Sequence, residues 1–209
     1  MSRIGPFSLR TISRLMVIVL VVVLGVAIGL HNVLAGRGAP PAPKLVAGTT
    51  LDGHAAPSFA LVDQTGTTVS LARLRGHPVV ITFLDATCVT ECPLTAQYLD
   101  WTAQFLGPRA HDVVWLAVSV NPSNTPAQAQ AFITKNHVAV PLHVLLGTPA
   151  QLSAVWHAYY IDVVPSTTGD VEHTIATYLI DPAGHEREIL DQAYDAKLAA
   201  QDLRALGAA

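Results

Sequence analysis

The chain has 209 residues, 51% of them apolar and only 13% charged, with a formal net charge of -3. No basic run occurs beyond Met1–Arg14, so the concentrated cationic face that nucleic-acid binding requires is missing and nucleic acid is excluded as a partner. About 160 residues follow the apolar N-terminal segment, enough to close one core without a metal or a disulfide, which leaves the two cysteines free for other work.

Residues 1–14 carry Arg3, Arg10 and Arg14, and no acid precedes Asp52. Leu15–Leu30 is an unbroken apolar run. Positive charge on its leading side holds that end in the cytoplasm and sends the following chain across. A cleaved signal peptide would have a shorter apolar core and a small-residue cleavage site, of which Val33-Leu34-Ala35 is a poor version. Extended through His31 and Asn32 to Ala35, the run nears the length of a spanning helix. We therefore expect an uncleaved single-pass anchor over 15–35. Either reading puts the rest of the chain outside the cytoplasm, on the periplasmic side of a bacterial-type cell membrane. Residues 36–48, with Pro40, Pro41 and Pro43, form a semi-rigid spacer, and 49–209 is expected to be one folded domain.

Phe59–Leu71 reads as two short strands around a Gln64-Thr65-Gly66 turn, an opening hairpin. Pro78–Asp85 is mostly apolar and rich in β-branched residues, as a strand buried on both faces would be. From Cys92 to Leu106, Leu94, Tyr98, Trp101 and Phe105 recur at spacings of four, three and four and mark an apolar helix face. Asp112–Val120 is a second buried strand. Thr125-Pro126-Ala127-Gln128 and Thr148-Pro149-Ala150-Gln151 are the same tetrapeptide. Each has Thr at the N-cap, Pro at the first helical position and Gln at the third, a capping-box start. Leu142–Leu146 between the two helices suits a short strand, Thr174–Asp181 a longer one, and Pro182-Ala183-Gly184 a turn into a returning Glu186–Leu190. Ala193–Leu206 closes the chain as a helix. This alternation predicts an α/β fold with helices flanking one central mixed sheet.

The two cysteines lie in Thr87-Cys88-Val-Thr-Glu-Cys92-Pro93, after the central strand and at the start of the next helix. Residues four apart share a helix face, and a helix N-terminus stabilises thiolate, the form that is both nucleophile and metal ligand. A purely structural disulfide is disfavoured because closing so short a loop stabilises little, roughly 2 kcal/mol in the chain-entropy treatment. Two intervening residues mark the common redox motif; three widen the gap and suit sulfurs converging on a metal. Of nine histidines, eight read as flank, loop or surface residues. His173 differs: it is placed in the loop from Pro165 that leads into the strand Thr174–Asp181, and if that strand neighbours the one ending at Asp85, it can face the cysteine loop. Two thiolates and an imidazole suit copper or zinc, with softness favouring Cu(I). Soft-metal binding and dithiol redox chemistry both remain open on these residues alone.

Taken together, the segments resemble the Sco/SenC family of copper-delivery proteins. Phe59–Gly66 is similar to its opening hairpin, Leu74–Phe83 to its lead-in strand, Cys88–Pro93 to its CxxxCP motif, Val118–Pro122 with Thr125-Pro126 to its following strand and helix start, and His173–Pro182 with Gly184 to its distal histidine segment. The resemblance implies a thioredoxin-like fold and copper, as Cu(I) or Cu(II), on Cys88, Cys92 and His173. It implies a metallochaperone acting in assembly of the dinuclear copper centre of cytochrome c oxidase. The expected partners are an oxidase subunit or other copper acceptor, a copper donor, a thiol reductant and the membrane.

The chain departs from the family pattern at three places. Phe83-Leu84-Asp85-Ala86 stands where Phe-Gly-aromatic-Thr is usual, Val89 stands where Pro is common, and Asn121-Pro122-Ser123-Asn124 replaces charged residues around an Asp-Pro. Asp85 is either a group supporting the ligands or, the reading favoured on sequence, a solvated strand end. The alternative function is an extracytoplasmic thiol-disulfide oxidoreductase using Cys88 and Cys92. The absence of a proline from Val171 to Asp181, where thioredoxin-type enzymes place one, counts against it.

Overall fold

The structure, a computed structural model, describes residues 16, 19–26, 43–164 and 171–207. The chain divides into two compact units, Met1–Ala42 and Pro43–Ala209. In the first, residues 19–26 are helical. The rest of the expected anchor over 15–35 lies almost wholly outside the described residues, as does most of the 36–48 spacer, and among the described residues no helix is long and apolar enough to cross a membrane.

The second unit is built on an eight-stranded sheet whose strands, in chain order, are β1 (Thr49–Thr50), β2 (Ala60–Asp63), β3 (Thr68–Ser70), β4 (Val79–Leu84), β5 (Val114–Ser119), β6 (Leu142–Leu146), β9 (Thr177–Ile180) and β10 (Glu186–Leu190). A separate two-stranded pair comprises β7 (Val163–Val164) and β8 (Glu172–His173). The sheet order is β1-β10-β9-β4-β5-β6-β2-β3. β4, β5 and β6 run parallel, whereas β9 is antiparallel to β4 and β2 to β6, so the sheet is mixed as expected. Helices α1 (Glu91–Leu106), α2 (Pro126–Lys135), α3 (Pro149–Ala158) and α4 (Ala196–Leu206) cover it.

Alternation along β4 divides the core in two. Val80 and Leu84 point to one face and join Leu99 and Leu106 of α1, Phe132 of α2 and Leu203 of α4. Val79, Ile81 and Phe83 point to the other and join Leu152 and Val155 of α3, with Tyr159 and Tyr178. Every residue of β4 is buried, which explains why the strand reads as a continuous apolar run. A fully buried side chain such as Phe83 contributes roughly 1.5–3 kcal/mol relative to an exposed one.

Both repeated tetrapeptides are capping boxes. The Thr125 hydroxyl accepts from Gln128 N–H at 3.2 Å, and the Gln128 side chain accepts from Thr125 N–H at 2.8 Å. Thr148 and Gln151 repeat the exchange at 3.3 and 2.9 Å. Each cap is worth about 1 kcal/mol.

The apolar face expected for α1 is not the buried one. Leu94, Trp101 and Phe105 are 37%, 38% and 49% exposed. The buried stripe is Cys92, Thr95, Ala96, Leu99, Thr102 and Leu106. Its small residues let α4, with Ala199 and Ala200 on its buried side, approach closely, and Thr102 Oγ1 reaches Tyr194 Oη at 3.3 Å. Close helix packing selected small side chains here, and the large ones were left outside.

The start of the unit is tied down by two buried carboxylates. Asp202 accepts the N–H groups of Val46 and Ala47 at 2.8 and 2.7 Å, and Glu188 accepts that of Gly48 at 2.7 Å. Among the described residues, Glu188 Oε2 and Asp202 Oδ1 have no hydrogen-bond partner, and burial beside the Asp202 carboxylate favours the protonated form of Glu188. Gly48 is required at this point because a Cβ would overlap the Ile189 carbonyl oxygen.

Candidate metal centre

β4 ends at the site. Asp85, the next residue, is 1% exposed, so it is not the solvated strand end favoured on sequence. Its Oδ1 accepts from Thr87 N–H, the Thr87 hydroxyl and Asn124 Nδ2, each at 2.8 Å, and its Oδ2 accepts from Asn121 Nδ2 at 2.9 Å. Asn124 Oδ1 in turn accepts from Ala86 N–H at 2.8 Å and from the Ser119 hydroxyl at 2.9 Å. Burial works against the charge, but the bonds from Thr87, Asn124 and Asn121 outweigh it and hold the Asp85 carboxyl below the usual carboxylate range.

The main chain of Asp85 touches both cysteines. Its N–H donates to Cys92 Sγ at 3.4 Å, and its carbonyl accepts from Cys88 N–H at 3.1 Å. α1 begins just beyond, and its N-cap Thr90 makes no side-chain cap bond. Cys88 Sγ fills that role by accepting Cys92 N–H at 3.5 Å, and lies 3.6 Å from Thr90 Oγ1. The first N–H groups of a helix have no partner within it, so this sulfur meets both a donor and the positive end of the helix.

The two sulfurs, both free thiols, differ in kind. At Cys88, burial opposes thiolate but is outweighed by the N–H groups of Cys92 and Thr90, and the thiol is held below its ordinary value. Cys92 is 3% exposed; burial pushes its thiol up, and the nearby charges of Cys88 and Asp85 add to this. Cys88 is the accessible, activated sulfur and Cys92 the protected one. A cleft of about 270 Å³ opens beside Cys88, lined in part by Val89, Pro93, Phe132 and Lys135.

His173 does not sit in a loop. It forms the two-residue strand β8, paired with Val163 of β7, and the strand expected from Thr174 starts only at Thr177 because Thr174 N–H bonds instead to the Asp162 carbonyl at 2.9 Å. The condition for its approach is met: β9 lies beside β4, with Thr177 opposite Thr82, so the preceding segment runs toward Asp85. His173 Nδ1 lies 2.9 Å from the Thr174 carbonyl, which only accepts, so Nδ1 carries the proton and Nε2 keeps its lone pair. Burial lowers the imidazole pKa, opposed by the Thr174 carbonyl and the Asp85 charge. Among the described residues, no group of three His, Cys, Asp or Glu side chains is close enough together to hold a metal ion. The structure therefore brings the two sulfurs together and leaves His173 on a neighbouring segment. Asn121, Asn124 and Thr87, which complete the site, were not singled out by sequence as partners of Asp85.

The SCO1/SenC family model matches residues 47–208. Protein SenC of Rhodobacter capsulatus is 30% identical over 129 residues, covering 59% of this chain and 58% of SenC, so the chain spans less than two thirds of that relative. The structure of Bradyrhizobium japonicum ScoI with copper bound is similar at a TM-score of 0.63 and 29% identity, covering 72% of this chain and 98% of ScoI. BsSco, described as having a disulfide switch and as a member of the Sco family of cytochrome c oxidase assembly proteins, shares the fold at a TM-score of 0.63 and 21% identity over 74% of this chain and 94% of its own. With the family model matched across most of its length, this thioredoxin-like α/β chain belongs to the SCO1/SenC family.

Proposed function

We propose that the chain binds copper through Cys88, Cys92 and His173 and delivers it to an acceptor, the dinuclear copper centre of cytochrome c oxidase. The observation that carries this reading is the pair of free sulfurs at the N-terminus of α1, one half-buried and activated, the other buried. Two thiolates are soft donors that favour Cu(I). Nδ1 of His173, bonded to a carbonyl, leaves Nε2 to complete the set, an arrangement common for metal-ligating imidazoles. Cys88, favoured as thiolate, would offer the first sulfur, and Cys92 would release its proton to solvent on ligation, which requires the thiolate. His173 closes last. The copper-bound ScoI relative supports the cargo, and the description of BsSco supports the setting.

Residues 15–35 serve as a single-pass anchor, with the N-terminus cytoplasmic and the 43–209 unit periplasmic. Protease added outside spheroplasts then digests that unit, and protection from it would contradict the placement.

A second reading, thiol-disulfide exchange, draws on the unequal sulfurs and on the disulfide switch described for BsSco. There Cys88 thiolate attacks a partner disulfide and Cys92 resolves the mixed disulfide. Anaerobic Cu(I) titration of Cys88→Ser and Cys92→Ser chains separates the two. Loss of stoichiometric binding in both supports delivery. Retained disulfide reductase activity with no copper bound by the parent would favour exchange.

A further inference from the structure

Asp85 is a 1% exposed carboxylate in direct contact with the sulfur loop. Its four accepted hydrogen bonds come from the cysteine loop (Thr87) and from the segment joining β5 to α2 (Asn121 and Asn124). Asn124 completes the circuit by accepting from Ala86 N–H. The N–H of Asp85 itself faces Cys92 Sγ, and the Asp85 carbonyl holds Cys88 N–H. Any rotation of residue 85 therefore moves both sulfur contacts at once. A fully satisfied polar network around a buried carboxylate fixes one geometry and is costly to break, most of all at the buried Asn124 amide.

We propose that Asp85 is a positioning residue for the sulfur pair: its carboxylate, locked by Thr87, Asn121 and Asn124, fixes the main-chain contacts that keep Cys92 sheltered and Cys88 open. This rests on the reading of Cys88 and Cys92 as the working pair. The bonding pattern makes the role separable from mere folding. Oδ1 takes three of the four donors and Oδ2 only Asn121. In Asp85→Asn, the new amide group faces the Asn121 amide, donor against donor, while Oδ1 keeps its partners. Adding Asn121→Asp restores that contact with its polarity reversed.

The test is the rate at which each cysteine of the reduced, metal-free full chain is alkylated by iodoacetamide, read by peptide mass spectrometry. In the parent, Cys88 reacts at least roughly tenfold faster than Cys92. Asp85→Ala and Asp85→Asn speed Cys92 and shrink that ratio several-fold, and Asp85→Asn/Asn121→Asp restores it, as a coupled pair should. Circular dichroism checks that each variant is folded; if Asp85→Ala is not, Asp85→Asn decides. A ratio unchanged within roughly twofold in folded single variants overturns the proposal, as does a double variant no better than Asp85→Asn. Copper is absent from the measurement. A chain that binds no copper would sink the delivery reading and leave the Asp85 result standing.

Discussion

Cys88 Sγ accepts the N–H of Cys92 at 3.5 Å, so one cysteine caps the helix turn that carries the other. The contact makes the pair unequal. The accepting sulfur gains a donor and the helix dipole; the other is folded under the end of β4, against Asp85 N–H.

Titration of the reduced, metal-free chain by thiolate ultraviolet absorbance should therefore show one sulfur ionising below the ordinary thiol value and the second staying protonated across the range in which the chain is folded. Cys88→Ser removes the early step and Cys92→Ser leaves it. Two equal steps at the ordinary value would contradict this.

The Glu188–Asp202 pair makes stability fall toward alkaline pH. Burial, with the Asp202 charge adding and the Gly48 N–H opposing, pushes the Glu188 carboxyl from 4.5 up to about 7. The folded chain thus holds a proton that the unfolded chain has lost. The stabilisation is fully present below the unfolded value and disappears as pH rises through about 7. Glu188→Gln, whose amide can donate to Asp202 and still accept from Gly48, removes this titration. The melting temperature of the parent should drop by several degrees more than that of the variant between about pH 5 and pH 8. Equal drops would show that Glu188 carries no such proton.

Gly48→Ala should destabilise the chain by about 1–3 kcal/mol, the usual range for overpacking. The opposing atom is a backbone carbonyl in β10 and cannot move aside as a side-chain tip would. Denaturant melts check the size. Faster amide exchange at residues 45–50 checks the place, and an unaltered midpoint would contradict the account.

Much of this was legible in the sequence. Apolar runs marked β4 and β5 because both are buried on two faces, and the repeated Thr-Pro-Ala-Gln marked two helix starts because the cap is made by residues within four positions. What was misread depends on distant partners. Asp85 looks like a strand end until Asn121 and Asn124, 36 and 39 residues on, supply its donors. Two of the departures from the family pattern are thus in contact with each other, a relationship that the linear sequence does not reveal. α1 was turned the wrong way because periodicity counts large apolar residues, whereas close packing on α4 buries small ones. His173 was expected in a loop because a two-residue strand carries no periodic signal.

In the proposed function, copper is held by both sulfurs and His173. Its most direct test is anaerobic Cu(I) titration of the reduced chain beside its His173→Ala variant, with a competing chelator reporting affinity. One tight copper per parent chain is expected, with binding weakened at least roughly tenfold in the variant, the scale on which loss of a ligand contact acts. Equal affinity in the two, or no tight copper in the parent, would contradict it.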